Sequence, residues 1–325
     1  MAAVAGREAP HPLLVAVAGL DEAQLERALR AAVAHQLLIP REEGYQFRHA
    51  LLREVVDAGL LAGERVRLHA GYARALTARP ELSAGSPTVA AAELAVHWDA
   101  VGQLDRALPT RAQAGLAAEQ AHAFPEAQRH YERALQLWER VPNPGQPAGL
   151  DQVDLMARMA NAAVFTGAVQ RAIGLLGDAL TNMDPVSEPV RSAELLGRLG
   201  DYRLRAGDEA GALPAFEQAE QLRAGKPPSA EHARVLAAHA RALMVVVGHS
   251  EEVVKRCEEA IAVARSVGAR AEEARALRVL AGSLDEMGEL DRAITLMLET
   301  RRIAEQVGDV ETVVATHILS RSEVS

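Results

Sequence analysis

Residues 200–219 read GDYRLRAGDEAGALPAFEQA. Gly200 is followed 12 positions later by Ala212, and 7 beyond that by Ala219. Gly207 stands five before Ala212, and Phe216 four after it. The same spacing recurs at Ala95/Ala107/Ala114, Gly115/Ala127/Ala134 and Ala160/Ala172/Ala179. It recurs less regularly at Arg241/Val253/Ala260 and Ala281/Ala293/Thr300. Tyr131, Leu176, Cys257 and Met297 match Phe216, and Arg111 is the exception. Gly102, Gly167, Gly248 and Gly288 match Gly207. Small residues let two helices approach closely, and a glycine between them makes the turn. The pattern predicts an all-α chain built as a helical-hairpin solenoid.

Composition agrees. Aromatic residues make up only 3% of the 325, which suits thin helices packed through alanine seams. Cys257 has no second cysteine to pair with and falls on an apolar repeat position, so a buried thiol is expected. Arg7 and Glu8 interrupt the N-terminal apolar run, so neither a signal peptide nor a membrane span is expected, and the location implied is cytoplasmic. Residues 1–79 hold 10 Arg against 9 Asp and Glu; the remainder holds 25 Lys and Arg against 35 acids. An acidic repeat region repels a phosphate backbone, so no nucleic-acid binding is expected of this chain alone.

Breakers divide the chain. Pro80–Pro87 reads as a linker, and 142–147, 184–189 and 224–229 read as loops between repeats. The expected domains are residues 1–79, a linker at 80–89, and a repeat region over 90–325 whose last repeat is cut short. Within 1–79, Asp21 opens a helix to about His35. Residues 37–40 and 45–47 form a short β-hairpin about the turn 41–44, and a helix follows from about His49. Helices followed by a small hairpin make a winged-helix arrangement. Its candidate recognition helix, 21–35, carries Asp21, Glu22 and Glu26 against Arg27 and Arg30, which favours a structural over a DNA-reading role.

The 12-and-7 spacing resembles the tetratricopeptide (TPR) pattern over roughly residues 90–304. Ala172, Ala212, Val253 and Ala293 lie 40 or 41 apart, so helices or loops are longer here than in the usual 34-residue repeat. Ala107 and Ala127 are only 20 apart, so one helix ends the first hairpin and begins the second. A second resemblance rests on LLIPREEGYQFRHALLREVVDAGLLAGERVRLHAGYARAL (37–76), on the stretch before it, and on AAELAVHWDAVGQLDRAL (91–108) and FPEAQRHYERALQLW (124–138). These segments resemble the winged-helix and TPR-like regions of large ATP-binding LuxR-type regulators, a group of signal-transduction ATPases that includes the MalT-like activators. The family order is P-loop ATPase, winged helix, TPR-like sensor, and C-terminal helix-turn-helix.

The resemblance implies the regulatory region of a LuxR-family transcriptional regulator, with ATP or ADP and an ATPase domain in the parent. It also leaves a stand-alone TPR adaptor open, or the same region of an ATPase-linked cyclase or kinase. No G-x-x-x-x-G-K-[ST] occurs, so the chain is not expected to be an enzyme or to hold a cofactor itself. An effector or protein partner on the solenoid is expected. Arg48-His49-Ala50-Leu51-Leu52 aligns with the Met-His-Asp motif of related ATPases, whose His meets the ADP β-phosphate; here Ala50 replaces the acid. The resemblance makes His49 a nucleotide sensor in an intact parent, and the plain reading makes it a helix cap. His232 and His239 share a helix face but lack a third ligand at metal spacing, so they read as solvated or interface histidines. His122 and His130 flank a turn, Trp98 and Trp138 read as core, and Glu251–Glu259 reads as a solvated face. Val310, Val313, Val314, Ile318 and Leu319 form a final apolar stripe, which predicts self-association through the C-terminal end.

Overall fold

Asp21 caps the first long helix: its Oδ1 accepts from the Gln24 N–H at 2.8 Å, and the helix runs Glu22–Ala34. The computed structural model describes residues 1–6 and 8–308. The N-terminal elements are α1 (Ala2–Ala5), β1 (Glu8–Pro10), α2 (His11–Ala18), α3 (Glu22–Ala34), β2 (Leu38–Pro40), β3 (Gly44–Phe47), α4 (Ala50–Ala58) and α5 (Ala62–Ala78). The repeat helices follow as α6 (Pro87–Val101), α7 (Leu104–Gln120), α8 (Phe124–Trp138), α9 (Gln152–Phe165), α10 (Val169–Thr181) and α11 (Pro189–Arg205). The series ends with α12 (Glu209–Arg223), α13 (Ala230–Val247), α14 (Glu251–Ser266), α15 (Arg270–Glu286) and α16 (Leu290–Val307). The fold is predominantly helical with three short strands among the described residues. The stripe from Val310 to Leu319 and the last, shortened repeat lie outside them.

Two compact units emerge, one spanning Met1–Thr166 and one running from Gly167 onward. The N-terminal core of the first gathers Leu13, Leu14, Leu25, Leu29, Leu38 and Tyr72. The expected hairpin is β2 paired antiparallel to β3, with Leu38 opposite Phe47. The sequence reading missed a third strand: β1 pairs on the other side of β3, Glu8 opposite Gln46 and Pro10 opposite Gly44. A three-residue strand ending in proline carries no alternation to read. Pro10 sits on an edge strand, where its missing N–H costs the ladder little. Residues 80–89, expected as a linker, include a 3₁₀ turn over Pro80–Leu82 whose Leu82 is buried in this core.

The repeat helices pack as the spacing predicts. α7 packs against both α6 and α8, so one helix serves two hairpins. In the second unit α11 pairs with α12, α13 with α14 and α15 with α16. Ala95, Ala107, Ala127, Ala134, Ala212, Ala219, Ala260 and Ala281 are all fully buried. The set Ala160/Ala172/Ala179 is divided between the units, Ala160 on α9 and the others on α10, each with 0% exposure. The glycines at 102, 167, 207, 248 and 288 all adopt positive φ, 76° to 85°, where a Cβ would be strained.

Two imperfect sets resolve differently. Thr300 keeps its seam position with 0% exposure, because its Oγ1 donates back to the Leu296 carbonyl at 2.8 Å. Arg241 is not a seam residue. It is half-buried and donates to Asp201; Ala240 and Ala242 on either side are both fully buried, and of the two it is Ala240 that shares a core with Val253, Cys257 and Ala260. The helix α13 therefore carries one more residue between its seam and its glycine than the other repeats do.

Candidate functional site

The structure offers three kinds of feature that could serve binding: an uncovered helix, a series of clamped carboxylates, and cavities beside the repeat helices.

The uncovered helix is α4. Its nine residues include no buried side chain, and Leu51 and Val55, one turn apart, are 72% and 69% exposed. Leu61, just beyond it, is 71% exposed. His49 stands at the N-cap of this helix with extended backbone, φ −133° and ψ 140°. Its side chain is exposed and makes no capping hydrogen bond. His49 is therefore next to an apolar face and at a helix N-terminus, where backbone N–H groups favour an anion.

The clamped carboxylates join successive helices. Asp99 on α6 accepts from Arg133 of α8 at 2.7 and 2.8 Å and from Arg111 of α7 at 2.9 Å. Burial would raise its pKa, but the bonds from Arg133 and Arg111 outweigh it and hold the carboxyl below its usual range. Glu119 on α7 receives the Tyr131 hydroxyl at 2.7 Å and Arg158 of α9 at 2.9 Å. In the second unit Asp201 holds Arg234 and Arg241, each at 3.1 Å. Glu220 meets His239 at 2.6 Å and Arg256 at 2.8 Å. Glu273, 1% exposed, takes Arg265 at 2.6 Å and Arg270 at 2.7 Å. A buried carboxylate needs such partners, and each clamp fixes the relation of neighbouring helices. Five acids of the repeat region are thus paired internally.

The sequence reading missed the clamps. Their long-range partners are 33, 34, 39 and 40 residues apart, about one repeat. An acid and an arginine recurring at the repeat period was the available signal. Among the histidines, His239 is 3% exposed and stacks on Phe216 with ring centroids 5.7 Å apart. It is core, not the solvated or interface residue expected beside His232. His130 is buried against Arg111, and burial first, then Arg111, pulls its pKa down to about 4. His122 is exposed. His97 is 3% exposed, stacks on Tyr72 and lies 2.9 Å from His69 through the Nδ1 atoms. Burial, with His69 beside it, lowers its pKa to about 4. No group of three or more His, Cys, Asp or Glu could hold a metal ion among the described residues.

Trp98 is core as expected, 3% exposed with the Arg106 guanidinium 4.7 Å from its ring centroid, and Trp138 is half-buried. The same Trp98 lines a cavity of about 1090 Å³ between α5, α6 and α7. Cys257 is fully buried, and burial pushes its thiol up to about 12, so it packs and does not react. Glu251–Glu259 is amphipathic: Glu251, Glu252, Lys255 and Glu258 are exposed while Val253 and Cys257 are buried. No described helix is long and apolar enough to cross a membrane.

Paired helices seamed by small residues and turned by left-handed glycines define a TPR-like repeat protein. Among solved structures the chain resembles BtubC from P. vanneervenii at 15% identity and a TM-score of 0.52, over 73% of this chain and 92% of that one. It also resembles a signal transduction ATPase with numerous domains that carries a tetratricopeptide repeat sensor, from Pyrococcus horikoshii. That match has 15% identity and a TM-score of 0.49, and covers 97% of this chain but only 44% of that protein. At such identities the likeness concerns the fold alone. No protein-family model matches the sequence, and no curated protein matches it significantly.

Proposed function

We propose that this chain is the regulatory region of a larger signal-transduction ATPase, of the kind that carries a LuxR-type output. Residues 1–79 act as a winged-helix unit, and the repeats from about residue 90 receive an effector or protein partner. Partner binding at the repeats shifts the ATPase between closed ADP-bound and open states through the winged-helix unit. The supporting resemblance is carried by FRHALLREVV, residues 47–56.

One observation carries the reading. α4 buries none of its residues, yet turns Leu51 and Val55 outward beside His49. An apolar helix face of that kind needs a cover. An ATPase domain docked on α4 would cover it and bring a bound nucleotide to His49.

The test is the reading frame in which this sequence lies. A P-loop, G-x-x-x-x-G-K-[ST], encoded in frame before residue 1 supports the regulator. A frame with no P-loop favours the stand-alone adaptor, in which the repeats bind a peptide or protein and α4 is covered by another chain.

A further inference from the structure

A cavity of about 630 Å³ lies along α11 in the second unit, between α10 and α12. Ser192, Leu196, Leu199 and Arg203 line it from α11, at steps of four, three and four residues, so they form one stripe on that helix. Leu180 of α10 and Leu222 of α12 face them. At 1.5 Å per residue, Ser192 and Arg203 stand about 16 Å apart along the axis. The cavity therefore has a hydroxyl at one end and a guanidinium at the other, with leucines between and Gln218 and Gln221 on the α12 wall.

Ser192 is the unexplained group. The residue is 1% exposed, and its Oγ has no hydrogen-bond partner. A buried hydroxyl without a partner costs free energy and calls for a ligand or a reason. At the other end, Arg203 is the one cation among the described lining residues, and no carboxylate lines the cavity. Its Nη1 donates to the Gly211 carbonyl at 2.6 Å, and its Nε lies 3.7 Å from Asp208, which holds the guanidinium in place. The volume falls within the range of small-molecule sites.

We infer that this cavity binds a long-chain carboxylate bearing an oxygen function near its far end. The carboxylate meets Arg203, the chain lies over Leu196 and Leu199, and the distal oxygen accepts from Ser192. An extended peptide of the same length fits less well, because its backbone would set more polar groups against the leucines than Gln218 and Gln221 can pair. The inference rests on the reading of the repeats as a sensor, and it names the chemistry sensed.

Calorimetric titration of the full chain with 12-hydroxydodecanoate, dodecanoate, dodecanol and an apolar pentapeptide tests this. The hydroxy acid binds saturably at one site, about tenfold tighter than dodecanoate. Ser192→Ala removes that preference without lowering the melting temperature, since it deletes a hydroxyl that has no partner. Arg203→Gln weakens both acids and leaves dodecanol unchanged. Gln218→Glu, a second variant on the cavity wall, weakens both acids by adding a negative charge. No saturable binding, equal affinity for dodecanol and the acids, or a tighter peptide would overturn the inference. So would a Ser192→Ala variant that keeps the preference. None of these results bears on α4 or the ATPase, so failure here leaves the regulator reading standing.

Discussion

A Cβ placed on Gly115 would stand 2.5 Å from Cε1 of Tyr131. The glycine on α7 and the ring on α8 occupy the first small position and the bulky position of one repeat. The same relation holds between Gly200 and Phe216, where the closest ring atom is 2.7 Å away. The hairpin closes because one helix gives up its side chain to the ring of the other.

Gly115→Ala should therefore destabilise the protein by about 1–3 kcal/mol through overpacking. Tyr131 has 0% exposure and its hydroxyl is tied to Glu119, so the ring cannot swing aside. Gly174→Ala on α10 is the control. Nothing lies within 4 Å of its Cβ, so it should gain about 0.5–1 kcal/mol from helix propensity. Urea denaturation of both variants checks the pair; equal effects would contradict the packing account.

Asp99→Asn should cost about 2 kcal/mol. It leaves Arg111, whose side chain is 14% exposed, without its anion, while Arg133 is more exposed and better screened. A double-mutant cycle with Arg133→Gln measures the coupling. Additive effects would show that the clamp contributes no stability.

Stability should fall as pH drops from about 6.5 toward 4. His97 and His130 have folded pKa values of about 4 against an ordinary 6.5, so in this window the unfolded chain takes up protons that the folded chain refuses. The loss is about 1.4 kcal/mol per pH unit for each histidine, and it levels off below pH 4. Thermal melts from pH 7 to 4.5, repeated on His97→Gln, check this; an unchanged slope in the variant would contradict it.

The repeats were legible in the sequence for a physical reason. Two helices approach closely only where side chains are small, and that requirement fixes residue type at set spacings, as at Ala95, Ala107 and Ala114. Arg241 misled because α13 is longer by a residue, which spacing alone does not show. β1 was hidden because three residues ending in Pro10 show no alternation. Its trace was Gly44, whose Cβ would come 2.4 Å from the Ala9 carbonyl oxygen. The clamps and the Ser192 cavity join side chains from different helices, so no local motif announces them. His49 was singled out by resemblance; the structure adds that it stands beside an uncovered apolar face.

His49→Ala should leave the stability of this chain within about 0.5 kcal/mol, because the side chain is exposed and caps nothing. In a parent with a P-loop, the same change should speed ADP release. Melting of the chain and nucleotide retention by the parent check the two halves. Unfolding in the chain, or unchanged ADP retention in the parent, would remove His49 from a sensing role.

The regulator account is tested most directly by hydrogen exchange at residues 50–58, compared between this chain and a longer protein in which a P-loop domain is encoded in frame ahead of it. A helix with no buried residue opens at little cost, so in this chain the α4 amides should exchange fast. In the longer protein the docked ATPase should slow them, most strongly with ADP bound. Equal exchange at α4 in the two proteins would contradict the account.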